Sequence, residues 1–132
     1  MSDSSTYPYP NLNPYVPASL SEIYDLLGSM ILWAPTFDKE GAYPEYSVDT
    51  EFHALTHGFG RVREKLGEER YAQLIDLAAQ AKRLFADDPD DDNGKTDQGR
   101  DLLFEIEDLI QATRSHRVAA KMKDEEGEIS DD

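Results

Sequence analysis

Cysteine is missing from all 132 residues, which excludes a disulfide framework, a thiolate metal site and a cysteine nucleophile. Basic residues are scarce: 13 lysines and arginines stand against 28 acids, a formal net charge of −15. A direct nucleic-acid binder needs a positive footprint to displace counterions from phosphates, so that class is excluded. No apolar run approaches the ~18 residues that span a bilayer, and the opening MSDSSTYPYP lacks the basic and apolar regions of a signal peptide. A cytoplasmic protein that avoids membranes is expected. Strand alternation, internal repeats, Walker-type loops, dinucleotide fingerprints and nucleophile elbows are also missing, so a non-enzyme without cofactor or metal is expected.

What is present is one domain's worth of helix. Residues 1–18 read as an extended arm, because Pro8, Pro10, Pro14 and Pro17 each remove a backbone donor. Leu12, Tyr15 and Val16 give its second half something to pack along the domain. A first helix is predicted from the capping box Ser19–Glu22, with Leu20, Ile23, Leu27, Met30, Ile31 and Ala34 on one stripe and Pro35 as its stop. Leu26, Leu32 and Trp33 lie off that stripe, so this helix is expected to be central. A loop over 35–48 carries Phe37, Tyr43 and Tyr46.

A second helix is predicted from Asp49 to Leu66 on Phe52, Leu55, Phe59, Val62 and Leu66, stopped by Gly67. Gly58 and Gly60 weaken it and mark either a close crossing or a kink. A third spans Glu68–Ala86 on Tyr71, Leu74, Ile75, Ala78, Ala81 and Phe85, and a fourth Asp97–Val118 on Leu102, Leu103, Ile106, Leu109 and Ile110. Residues 119–132 read as an acidic disordered tail. The expected fold is all-α, an antiparallel bundle of four principal helices over 19–118.

The charge is uneven along this plan. The predicted second and third helices are close to neutral, whereas six acids and one lysine leave −5 over residues 87–99. In an up-down bundle that loop and the acidic loop after the first helix share one pole. On the fourth helix Asp97, Asp101, Glu105 and Asp108 fall within about 80°, opposite the apolar stripe and with no basic residue in the arc. Phe104 sits at its edge. An exposed aromatic flanked by carboxylates is an interface anchor pattern; the alternative is a Phe104 covered by the arm or by another helix. The candidate partner-binding set is therefore Asp97, Asp101, Phe104, Glu105 and Asp108, with Asp90, Asp91 and Asp92 of the loop.

Two metal-like patterns are set aside. Placing Gly94 at the glycine position of an EF-hand loop puts Pro89 first and Arg100 twelfth, and neither can serve there. His53 and His57 are four residues apart, but H-A-L-T-H lacks the general base of H-E-x-x-H, so both read as surface histidines. His116 sits where it can interact with a helix C-terminus.

In size, helical content, lack of cysteine and acidic patches around an aromatic, the chain resembles the small acidic immunity proteins that neutralise bacterial toxins. The tyrosine pair of the helical colicin-nuclease immunity proteins has no counterpart here, so no residue role carries over. The resemblance implies a stoichiometric inhibitor, monomeric or homodimeric, of a basic toxin such as a nuclease, whose phosphate-binding site is positive. The alternatives are a DNA mimic or regulatory adaptor that sequesters a basic nucleic-acid-binding protein, and a helical homodimeric scaffold.

Overall fold

A computed structural model describes residues 16–37 and 47–124, and every regular element among them is helical. α1 spans Leu20–Trp33, α2 Val48–Arg61, α3 Arg63–Leu66, α4 Glu68–Ala86 and α5 Lys95–Asp124. None is long and apolar enough to cross a membrane.

The helix ends follow local chemistry. Ser19 caps α1, its Oγ accepting the Glu22 N–H at 3.1 Å. The Glu22 carboxylate reaches back one residue further than a simple capping box, accepting the Ala18 N–H at 2.7 Å. Ser47 and Thr50 form a reciprocal box at the start of α2, satisfying two amide donors that no intrahelical partner can reach.

The single helix predicted over 49–66 is two. Val62 leaves helical geometry (φ −110°, ψ 19°), and its N–H is shared between the Gly58 and Phe59 carbonyls at 3.3 and 3.2 Å. A β-branched residue two positions after the second of two glycines is a weak point for propagation. α5 departs the other way, starting two residues earlier and running six residues beyond the predicted end. Ala119, Ala120, Lys121 and Met122 are good helix formers, and extending an established helix costs far less than nucleating one. The predicted tail boundary at 119 therefore falls inside a helix, and residues 125–132 lie outside the described ones.

Each of the four longer helices packs against two of the other three: α1 and α4 both meet α2 and α5. α4 and α5 run in opposite directions, since Arg70 Nη1 donates to Thr113 Oγ1 at 2.7 Å at one end and Thr96 meets Asp88 at the other. α1 and α5 also oppose: Arg100 reaches the carbonyls of Ile31 and Ala34, while the Arg114 guanidinium lies 5.7 Å from the Tyr24 ring centroid.

The predicted apolar stripes form the core, with Leu20, Ile23, Leu27, Met30, Leu55, Phe59, Leu74, Leu103, Ile106 and Ile110 fully buried. α1 is not the enclosed helix that its composition suggests, because Asp25, Gly28 and Leu32 are exposed. Phe37 is the unexpected core member. It lies past Pro35 with φ +61°, yet its ring is fully buried and edge-on to Phe52 and Phe85 at 6.0 and 5.5 Å. Left-handed backbone costs a bulky residue about 1–2 kcal/mol. Burying the ring contributes ~1.5–3 kcal/mol, and each edge contact ~0.5–1.5 kcal/mol more, so burial wins.

Of the arm, only residues 16–18 are described. Pro17 is buried and Arg61 Nη1 donates to the Val16 carbonyl at 3.3 Å. Gly58 is the close crossing, since a Cβ there would stand 2.6 Å from Pro17 Cγ, whereas Gly60 faces open space. Gly99 does the same between α4 and α5, where a Cβ would meet the Phe85 ring at 2.6 Å. Gly99→Ala should therefore destabilise the fold by about 1–3 kcal/mol through overpacking, despite alanine's better helix propensity. Gly60→Ala should stabilise it by about 0.5–1 kcal/mol. Urea unfolding of the two variants checks the pair of opposite signs.

Candidate functional site

The acidic turn between α4 and α5 is built around one aspartate. Asp88 is only 1% exposed. Its Oδ1 accepts the Asp92 and Asn93 N–H groups at 2.8 and 3.2 Å, and its Oδ2 accepts the Thr96 N–H at 2.9 Å. The Thr96 hydroxyl, itself buried, donates to the Asp88 carbonyl. Burial pushes the Asp88 carboxyl upward, but the donors from Thr96, Asp92 and Asn93 together outweigh it and hold the group below its ordinary value. Asn93 adds two bonds, from its Nδ2 to the Asp87 carbonyl and from the Lys95 N–H to its Oδ1.

This scaffold presents Asp90, Asp91 and Asp92, all exposed. Asp91 takes the left-handed conformation at φ +55°, which short polar side chains tolerate in turns. The neighbouring acids are partly spent: Asp87 pairs with Lys95 at 3.5 Å and Asp97 with Arg100 at 3.2 Å. The arc on α5 is therefore not free of basic residues, because Arg100 bends back to Asp97.

Beyond Arg100 the arc stands as the sequence predicts. Asp101, Glu105 and Asp108 are exposed, with no cation within ion-pair distance among the described residues. Phe104 is 48% exposed and is one of only two large hydrophobic side chains left so open among the described residues. No described helix covers it, and residues 1–15 of the arm lie outside the described ones. Leu32 on α1, 70% exposed, is the second, and the sequence pattern had read it only as a residue off the stripe. Glu107, not singled out from the sequence, is half-buried. Burial, and then the Asp108 charge, raise its carboxyl above the ordinary glutamate value.

The histidine pair lies elsewhere. His53 and His57, ring centroids 4.0 Å apart, line an open groove of about 920 Å³ between α2 and α4, with Phe52, Tyr71, Ile75 and Lys82. Lys82 pairs there with Asp49 at 3.2 Å. Among the described residues no three histidine or carboxylate side chains gather as metal ligands.

The Asp88 cradle has a definite pH signature. A carboxylate held below its unfolded value contributes stability above that value, near pH 3.9, and the contribution disappears as pH falls through the folded value. Asp88→Asn should lower the melting temperature by several degrees at pH 7, since its amide faces backbone donors. The difference from the parent should hold down to about pH 5 and narrow below about pH 4. Thermal melts at pH 7, 5 and 3 check this.

No protein-family model, curated protein or solved structure matches this chain.

Proposed function

We propose that the chain is a four-helix antiparallel bundle acting as a non-enzymatic, acidic protein-binding module in the cytoplasm, an immunity or inhibitor protein that neutralises a basic toxin such as a nuclease. The observation that carries the reading is Phe104, half-exposed among Asp101, Glu105 and Asp108, carboxylates with no cation beside them among the described residues. An apolar ring that stays in water gains free energy when a partner covers it, and carboxylates around it select a positive partner and speed its approach. A nuclease is positive where it binds phosphate. The rigid turn bearing Asp90, Asp91 and Asp92 extends the same charge beyond the start of α5.

The supporting experiment is affinity purification from the native organism with mass spectrometry, followed by an inhibition assay on any basic protein recovered. Stoichiometric inhibition of a basic toxin supports the reading; recovery of only neutral or acidic partners overturns it. With the partner in hand, Asp101→Ala plus Glu105→Ala should leave the melting temperature unchanged or slightly higher, because the removed charges repel each other. The same pair should slow association and flatten its salt dependence. Phe104→Ala should instead accelerate dissociation, by about 2 kcal/mol or more for an anchor. Stopped-flow association and surface-plasmon dissociation rates on these variants separate the two effects.

A further inference from the structure

The two exposed hydrophobic residues belong to one surface. Arg100 to Ile31 and Ala34, and Arg114 to Tyr24, are the two ties that set α1 against α5 in opposite directions. Arg100, Glu107 and Arg114 recur every seven residues and so form the row of α5 that faces α1; Tyr24 and Ile31 form the matching row of α1. Glu107 and Gly28 each lie midway between the ties on their own helix. Gly28 has nothing within 4 Å of where a Cβ would stand, so the seam is open at that level. Leu32, one turn after Gly28, and Phe104, one turn after Arg100, both project from the outer side of this seam and are the exposed large hydrophobics of the described chain. Asp25, Asp101 and Asp108, all exposed, surround them.

We propose that the outer α1/α5 seam is the docking seat for a basic amphipathic helix of the partner, with Leu32 and Phe104 as paired apolar anchors and Glu107, about one turn beyond Phe104 on α5, as the receptor for an arginine. The proposal rests on the acidic-module reading above and extends it from one helix to two. Charge complementarity selects the occupant: Arg100 is engaged by Asp97 and two α1 carbonyls and Arg114 by Gln111, so the exposed acids are the unmatched charges among the described residues of this face. A second copy of this chain would bring Asp25, Asp101 and Asp108 against themselves, and like charges facing one another in an interface oppose association. An arginine suits Glu107 because a planar guanidinium can pair with a half-buried carboxylate while its stem covers apolar surface. Glu107 has no cation within ion-pair distance among the described residues, and its carboxyl already bears the cost of partial burial. A guanidinium in the seam would relieve that cost.

The test uses the full chain, labelled with nitrogen-15, and a synthetic 18-residue helical peptide with leucine and arginine alternating along one face. A peptide of the same composition with that face scrambled is the control. The expected result is amide shifts concentrated at Gly28, Leu32, Phe104 and Glu107, with the scrambled peptide at least tenfold weaker. Leu32→Ser and Glu107→Gln should each weaken binding about tenfold while circular-dichroism melts stay within a few degrees of the parent. Shifts centred on the Asp90–Asp92 turn or on the α2/α4 groove overturn the proposal, as does the absence of binding at millimolar peptide. If Asp101→Ala plus Glu105→Ala abolishes binding while Leu32→Ser and Glu107→Gln do nothing, the seam falls and the acidic arc of α5 stands. If the seam variants alone matter, the seat holds and the arc assignment fails.

Discussion

The guanidinium of Arg100 is the constraint on which the arrangement of α1 and α5 depends. The last carbonyls of any helix lack intrahelical partners, and Pro35 keeps α1 from running on to supply them. Arg100, from far along the sequence, donates Nε to the Ile31 carbonyl and Nη2 to the Ala34 carbonyl, both at 3.1 Å, and turns Nη1 to Asp97. One planar fork thus closes the end of α1, clamps it to α5 and neutralises the first carboxylate of the acidic arc. A lysine ammonium, a single point of charge on a flexible stem, could not hold both carbonyls in that geometry. With the two helices fixed in this register, Phe104 stays outside the core one turn further on.

The net charge of −15 overstates what the acidic turn offers at contact distance. Asp88 is consumed by backbone donors, Asp87 by Lys95 and Asp97 by Arg100. What remains is two groups, Asp90 to Asp92 on a stiff turn and Asp101, Glu105 and Asp108 along a helix. The total charge governs approach over roughly a Debye length, whereas the residual carboxylates govern what fits. The pairs that consume the other acids also hold the remaining ones in place, so sequestered charge here organises presented charge.

Much of this was legible in the sequence wherever a residue acts on its near neighbours. Ser19 announces the start of α1, Pro35 its stop, and Gly67 with φ +85° the boundary between α3 and α4. The stripes on α1, α2 and α4 map onto the core, and the exposed arc of α5 was readable because helical spacing alone decides which residues share a face. What escaped depends on distant partners. Phe37 reads as a loop aromatic because nothing local reveals that Phe52 and Phe85 receive its ring. Asp88 looks like any of its acidic neighbours; the one hint is that it precedes a proline, a common way to open a turn. Leu32 misled in the opposite sense, since an apolar residue off the stripe suggests an enclosed helix and α1 is open on that side.

The break at Val62 has a consequence for how the molecule comes apart. Around it, α2 turns into α4 through a single helical turn, Arg63–Leu66, entered at the shared Val62 N–H. Only Val62 and Leu66 of that turn reach the core. The rest is surface chemistry: Arg63 forks onto Glu68 at 2.7–3.1 Å and stacks 4.2 Å over the Tyr71 ring, with both charged partners largely in water. Exposed pairs of this kind contribute little and weaken with salt. The α4/α5 turn, by contrast, is sealed by a buried carboxylate. Native-state opening should therefore be directional, with the corner on the α2 side opening at a lower free energy than the end that carries the acidic turn.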